Sequence, residues 1–417
     1  MLSHRTKLSP AVGYAWFRSR TPRRELITHL RHADMPRKLD GKRNYSNVMY
    51  AVAGEAAANV AGTSYEQLVH DKVLAPLGLA ANTGFSQSAM KKLPNHASPY
   101  YADSFAQAQK GEFREAKYDE IYMAFSPAGD LHSNVLDLVK WGKVVVDGGM
   151  LDGKQVLNKE NVKMTVTSQS IVPQGTRMSE FSDSFTYGLG WGLMTYKGHN
   201  CYLHSGEYPG SSANLMLFPD DDLIIAQLAN IEPTDLLHYA RFFIADKVLD
   251  LPTQQDWLFD NAVKDTAAVY EEYAADREGK NLPKRIEGRP SVLPREELVG
   301  EFKSPLYGVI TIVSVSTPVA LGADEGKEKK GEEEEEEEGL EIHYHEFRNK
   351  LEYYHFETFK TVLDDGFVPG YARLVSFETG ADGRISGLSI DFESPDMVRF
   401  VKVKTSVVAT AVTEKEE

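Results

Sequence analysis

Cys201-Tyr202-Leu203-His204-Ser205-Gly206-Glu207-Tyr208-Pro209-Gly210-Ser211-Ser212-Ala213-Asn214-Leu215-Met216-Leu217-Phe218 is the stretch that decides the fold. It holds two β-rich runs, Cys201 to Ser205 and Ser212 to Phe218, on either side of a Pro209-Gly210 turn, and runs joined so briefly must be antiparallel neighbours. Outward from it, Thr186 to Tyr196 reads as one strand before the turn Lys197-Gly198-His199-Asn200. Leu223 to Asn230 reads as another after the acidic turn Asp220-Asp221-Asp222. Helical spacing surrounds these strands. Val135, Leu138, Val139 and Val145 share a face in Ser133 to Asp147, which stops at Gly148-Gly149, and further helices are expected from Thr234 to Asp250 and from Asp256 to Ala275. The fold class expected is α+β: an antiparallel sheet with helices packed on it, ordered α…βββ…α.

Upstream, Arg43-Asn44-Tyr45-Ser46-Asn47 runs into an Ala-rich helix that Gly62 ends, with Asn47 able to cap its first N–H groups. The positive end of that helix lies beside Tyr45 and is expected to favour its phenolate. Pro22 to His32 reads as a short helix with Pro22 in its first turn, and Pro36 to Arg43 as a loop. Thr63-Ser64-Tyr65-Glu66 is a capping box ahead of Leu68, Val69, Val73 and Leu74, and Pro76 closes that element. In the polar loop from Asn82 to Tyr118, Ser88 and Lys91 have Ser-x-x-Lys spacing, read here as surface chemistry because the stretch is loop-like. Ser126 to Asp130 reads as a turn.

Lys280 to Pro294, with three prolines, reads as a linker. Beyond it, Gly308 to Val315, Leu340 to Phe347, Leu351 to Thr358, Tyr371 to Thr379, Ile385 to Phe392 and Met397 to Lys404 are strand-like, which implies a small antiparallel barrel or sandwich. The glutamate run Glu332 to Glu338 reads as an unpacked hairpin insertion. The domains expected are therefore 1–262, a helical segment and linker at 263–294, a β domain at 295–405 with an acidic insertion at 322–339, and a tail at 406–417.

The chain has 417 residues, 42% of them hydrophobic, enough for a sizeable core. Its formal charge of −15 argues against a nucleic-acid partner. Asp324 to Glu338 contributes −7 of that, so the rest carries −8. No apolar run is long enough to span a membrane, and Met1-Leu2-Ser3-His4-Arg5 is not a signal peptide. The default compartment for this chain is the cytoplasm, although a longer form has room for a leader. Cys201, the single cysteine, precludes an internal disulfide and reads as buried, as do Trp141 and Trp191. His343 and His345 share a strand face and, with His355, suggest a metal site, but polar barrel positions explain them more simply. No cofactor or metal is expected, and the oligomeric state is not legible.

The chemistry concentrates in His204-Ser205-Gly206-Glu207. On a strand that ends in glycines, His204 projects toward a cleft, Gly206 admits close approach of a substrate backbone, and the Glu207 N–H is placed to serve as an oxyanion donor. Together with Leu2-Ser3-His4-Arg5-Thr6, Tyr45-Ser46-Asn47, Ala75-Pro76-Leu77-Gly78-Leu79 and Tyr187-Gly188-Leu189-Gly190-Trp191-Gly192, this order of motifs resembles the serine β-lactamase-like family of class C β-lactamases, D-Ala-D-Ala carboxypeptidases and esterases. The resemblance runs from Leu2 to about Leu251, and the C-terminal region is similar to the lipocalin-like domain of some members. It implies the β-lactamase/transpeptidase-like version of the fold and acyl transfer to a serine, with a small-molecule or peptide acyl substrate. Carried over by position, Tyr45 is part of the general base, Asn47 the positioning amide and His204 the third-motif residue. Ser205, Gly206 and Glu207 form the oxyanion and substrate edge.

The family places a Ser-x-x-Lys helix ahead of these motifs, and none precedes Tyr45 here. A base without its nucleophile does not perform acyl transfer. Three readings follow: an incomplete version of a serine hydrolase, itself inactive or nearly so; a binding or regulatory protein of the same fold; and a hydrolase using Ser88 and Lys91 as displaced nucleophile and base.

Overall fold

The computed structural model describes residues 1–9, 12–13, 16, 19–34, 43–116, 124–172, 182, 184–252, 257–318, 336–363, 371–392 and 397–403. They divide into two compact units that meet in sequence between Ala274 and Ala275. In the first unit the main helices are α1 (Arg23–His29), α2 (Asn47–Ala61), α3 (Tyr65–Val69), α4 (Val135–Val146) and α5 (Leu236–Val248). Helix α6 (Val263–Glu278) crosses the division. The strands are β1 (Ser170–Ile171), β2 (Phe185–Tyr187), β3 (Gly192–Tyr196), β4 (His199–Tyr208), β5 (Ser211–Phe218) and β6 (Leu223–Ala229). Each pairs antiparallel with its neighbour in sequence, so the sheet is a simple meander in the order β6-β5-β4-β3-β2-β1.

The run Leu215-Met216-Leu217-Phe218 in β5 shows why helices cover this sheet on both faces. Four consecutive side chains of a strand point alternately up and down, and all four are buried, so neither face is left to water. Met216 and Phe218 pack with Tyr196, Cys201, Leu203 and Ile225 against Phe242 and Ala245 of α5. Leu215 and Leu217 pack on the other side with Trp191 against Val145 of α4 and Val162. Cys201 sits inside the first layer, where burial pushes its thiol up to about 12 and keeps it unreactive. Trp191 is buried and Trp141 is partly buried beside it.

Several local readings need correction. The segment from Thr186 to Tyr196 is not one strand but a hairpin: Tyr187 lies opposite Gly192, the Gly188 N–H donates to the Trp191 carbonyl at 2.8 Å, and Gly190 takes φ +90°. Only glycine adopts that backbone conformation cheaply, so the run of alternating glycines makes a turn rather than a flat strand. Strand β4 does not stop at Gly206, since Gly206, Glu207 and Tyr208 pair with Ala213, Ser212 and Ser211. Helix α2 begins at Asn47 and ends at Gly62 (φ +69°), but Ser46 occupies the N-cap position and Asn47 is the first helical residue. Ser126–Gly129 is a short helix with Pro127 in its first turn, not a turn alone.

The second unit contains a closed barrel of eight antiparallel strands: β7 (Gly300–Ser304), β8 (Gly308–Pro318), β9 (Glu336–Tyr344), β10 (Phe347–His355), β11 (Thr358–Leu363), β12 (Tyr371–Thr379), β13 (Ile385–Ile390) and β14 (Val398–Lys402). Pairing of Phe302 with Lys402 closes it. Rings fill the interior: Phe302, Phe359 and Phe377 form one group, and Tyr307, Tyr344, Phe392 and Phe400 another. Two of these strands, β7 and β11, escape the sequence reading because they are short and carry charge on their outer faces. The β9–β10 turn falls at His345-Glu346, where His345 takes φ +52°, so His343 and His345 do not share a strand face. His343 instead pairs with Glu341 at 3.1 Å, and His355 accepts from the Ile286 N–H at 3.2 Å. Among the described residues no three His, Cys, Asp or Glu side chains form a metal-binding group. Glu336 to Gly339 belong to β9, opposite Pro318 to Val315, while the rest of the expected insertion lies outside the described residues. The segment read as a linker is bound along the barrel: Arg285 donates to the Tyr354 carbonyl and the Val292 N–H to the Glu357 carboxylate, at 2.7 and 2.8 Å.

Helix α2 owes its seat to Gly54, where a Cβ would lie 2.4 Å from Cγ of Pro127 and 2.9 Å from the Tyr65 ring. Gly54→Ala is therefore expected to cost about 1–3 kcal/mol despite the better helix propensity of alanine. A urea unfolding curve on the two chains checks this, and an unchanged or raised midpoint would contradict the packing.

Candidate active site

Three separate pieces of chain converge on the imidazole of His4. That residue is fully buried in a left-handed conformation, φ +53°, and its own N–H donates to the Met1 carbonyl at 2.9 Å. Its Nδ1 accepts from the Ser46 N–H at 3.1 Å, and its carbonyl accepts from the Asn44 N–H at 2.7 Å. Two more bonds tie the same segments: the Tyr50 hydroxyl donates to the Leu2 carbonyl at 2.6 Å, and the Asn44 side chain to the Leu8 carbonyl at 3.1 Å. The edge of the sheet closes the arrangement. Ser170 on β1 donates through its hydroxyl to the Ser3 carbonyl at 2.9 Å, and the Arg43 N–H donates to the Ile171 carbonyl at 3.1 Å.

Around His4 the rings of Tyr45, Tyr50 and Tyr187 lie at 4.2, 5.0 and 5.0 Å between centroids. An Nδ1 that accepts leaves the proton on Nε2, and that buried N–H has no partner among the described residues. Burial, aided by the charge of Arg43, pulls the His4 pKa down to about 3, so His4 is neutral in the fold at neutral and mildly acidic pH. His204 is held by the sheet. Its Nδ1 lies 2.6 Å from the Ser205 carbonyl, which only accepts, so Nδ1 carries the proton and Nε2 is the acceptor. The Tyr187 hydroxyl, 3.0 Å away, therefore donates to Nε2 of His204. Burial lowers the His204 pKa and raises that of Tyr187, which fixes both as neutral partners. Arg43 supplies the charge. Its guanidinium lies 4.8 Å from the Tyr45 ring centre and 4.7 Å from that of Tyr187.

The structure thus brings Tyr45 and His204 to one cluster through His4, Tyr187 and Arg43. Tyr45 keeps 38% of its surface exposed, and Asn47, Ser205, Gly206 and Glu207 are exposed as well. The expected phenolate at Tyr45 is not favoured: burial of the phenol raises its pKa, and Arg43 opposes that rise without reversing it. Ser88 and Lys91 are elsewhere in the fold. Ser88 lies on the one-turn helix Gln87–Met90, exposed, with its hydroxyl 2.9 Å from that of Ser86. The neighbouring Ala89 borders a separate cleft lined by His70, Thr83 and His132. Four residues of the cluster have no assigned role in the sequence reading: His4, Arg43, Tyr50 and Tyr187. A signal exists for two of them, since His4 and Tyr187 sit inside the quoted motifs, but no spacing rule identifies which side chain of a motif faces the others.

Residues 1–249 match the family model described as Beta-lactamase. An unguisins hydrolase of Aspergillus campestris is 21% identical over 325 residues, 75% of this chain and 58% of that protein. Penicillin-binding protein 4 of Amycolatopsis lactamdurans is 22% identical over 197 residues, 45% of this chain and 47% of its own. The chain therefore spans about half the length of the curated relatives it matches. Among solved structures, the octameric penicillin-binding protein homologue from Pyrococcus abyssi aligns with a TM-score of 0.49 at 16% identity, covering 96% of this chain and 77% of that one.

A histidine held neutral in the fold and free to protonate when unfolded makes stability depend on pH. Its contribution is complete above the ordinary pKa of 6.5 and is lost progressively as pH falls toward about 3. His4→Asn retains an acceptor for the Ser46 N–H but does not titrate. Between pH 7 and pH 4 the wild-type chain is expected to lose roughly 3 kcal/mol more stability than the variant. Denaturant titrations at several pH values measure the two slopes, and parallel slopes would overturn the assignment.

Proposed function

The chain belongs to the beta-lactamase family, and on that premise we propose that its first unit carries the base and substrate-binding side of an acyl-transfer site for amide, peptide or ester substrates. The observation that carries this reading is the junction of the Tyr45 and His204 elements through the Tyr187–His204 bond of 3.0 Å and the Arg43 guanidinium. Two motifs far apart in sequence meet in one cluster beside an exposed edge, as a site that handles a ligand requires.

In this reading Tyr45 first gives up its own phenolic proton, and the phenolate so formed takes the proton of the attacking group and returns it to the leaving group. The Asn47 amide, exposed on the first turn of α2, orients the acyl portion of the substrate. His204 does not reach the substrate as a charged group. It accepts from Tyr187 and so fixes the wall against which Tyr45 works. The exposed edge Ser205-Gly206-Glu207 lies alongside, with the Glu207 N–H as the oxyanion donor. Two relatives, an unguisins hydrolase and a penicillin-binding protein, support hydrolysis or binding of an acyl ligand as the class of activity.

No Ser-x-x-Lys spacing occurs between Met1 and Tyr45, so we infer that the 417-residue chain by itself binds such ligands without turning them over. A fluorophosphonate probe followed by peptide mapping tests this, with a chromogenic ester, a cephalosporin and a D-amino acid anilide as turnover substrates. Expected are no serine adduct and no turnover above background. NMR titration with an N-acyl-D-amino acid amide is expected to show binding that Asn47→Ala weakens by about tenfold, as loss of a hydrogen-bonding amide does. An adduct on Ser88, abolished with turnover in Ser88→Ala, would overturn the reading in favour of a displaced nucleophile.

A further inference from the structure

We propose that Arg43 is the positioning residue of this site, its cationic side chain clamped between the rings of Tyr45 and Tyr187 so that the Tyr45 phenol is held in place and kept able to release its proton. The inference rests on the reading of Tyr45 as the base. It starts from an anomaly in the geometry. Arg43 is half-buried, its Nε has neither solvent nor a hydrogen-bond acceptor, and among the described residues it pairs with no carboxylate. A buried guanidinium N–H without an acceptor is costly unless something else stabilises it. Here two aromatic faces do so, at 4.8 and 4.7 Å, within the range where a cation is attracted to a ring.

The clamp is anchored at both ends. The Arg43 N–H is bonded to the Ile171 carbonyl on the edge strand, and the next residue, Asn44, bonds through its N–H and its side chain to the His4 and Leu8 carbonyls. One ring of the clamp, Tyr187, is itself fixed to His204 by the 3.0 Å bond. Arg43 therefore refers the position of Tyr45 to the sheet, which a flexible residue ahead of a helix otherwise lacks.

Charge makes the clamp more than a spacer. The titratable groups facing Tyr45 are His4 from the N-terminal segment, Tyr50 from α2, and Tyr187 from the sheet, with His204 behind it. Both histidines are held toward neutrality by burial, and the three phenols are neutral. Among the described residues Arg43 is the cation whose charge acts on Tyr45, where it opposes the effect of burial, while the Met1 ammonium acts on His4. Its delocalised plane fits between two rings without demanding strongly directional acceptors, which a lysine ammonium does less well.

The test needs no substrate. The ionisation of Tyr45 is followed in the full chain by the 295 nm difference between each background and the same background carrying Tyr45→Phe. Arg43→Met, which keeps the stem and loses the charge, is expected to move the Tyr45 midpoint upward by about one pH unit or more. Arg43→Lys is expected to recover most of that shift. A midpoint unmoved by Arg43→Met, or moved equally by both variants, overturns the proposal, since a purely structural arginine gives no charge-specific rescue. Should Arg43→Met not fold by circular dichroism, the wild-type chain decides: ring currents from Tyr45 and Tyr187 must shift the Arg43 Nε–H proton well upfield, and a random-coil shift removes the clamp. Failure here leaves the binding and probe experiments on acyl transfer untouched, and their failure leaves the clamp standing.

Discussion

The bond from the Ser46 N–H to Nδ1 of His4 is the contact on which the rest of the site depends. Ser46 caps α2 by position, yet its side chain satisfies none of the free N–H groups of the first turn. A buried imidazole instead accepts the N–H of the capping residue itself. Because that acceptor must be the neutral ring, the entry of α2, the left-handed turn at His4 and the stacking of three tyrosines all presuppose an uncharged His4. Burial supplies that condition by excluding the water that would solvate an imidazolium.

From this hub the site extends as a series of mutually fixed neutral groups with the Arg43 guanidinium set among them. His204 shows how the sheet sets a tautomer. The Ser205 carbonyl takes the Nδ1 proton, which turns Nε2 into an acceptor and directs it at Tyr187 rather than outward. The third motif thus contributes a braced wall, and the exposed elements that remain for a ligand are Tyr45, Asn47 and the strand edge from Ser205 to Glu207. The sheet can hold such a wall because it is anchored on both faces. Leu215 and Leu217 look to α4, and Met216 and Phe218 to α5, so β4 and β5 have little freedom to move the histidine.

Much of this was legible from residue order. Short turns such as Lys197-Gly198 and Asp220-Asp221-Asp222 force antiparallel neighbours, and the fourfold apolar run of β5 demands helices on both sides. The boundaries most often misread were those set by glycine and by strand ends. Gly188 and Gly190 look like tolerated residues within a strand, but a positive φ and a Gly188–Trp191 bond make them a hairpin. Strands β7 and β11 are short and carry charge on their outer faces, and closure of the barrel is what pairs them. His343 and His345 have the spacing of one strand face, but the turn at His345-Glu346 separates them.

What the sequence determined by itself is the α+β class, the order of the motifs and the residue types available for chemistry, because these follow from periodicity, turn composition and spacing along the chain. What only the tertiary structure decided is which members of those motifs meet. That Arg43 lies between Tyr45 and Tyr187, that His4 is buried and neutral, and that His204 faces Tyr187 depend on packing between segments up to 200 positions apart. Protonation state and side-chain direction are properties of the surroundings, and surroundings come into being only when distant segments pack together.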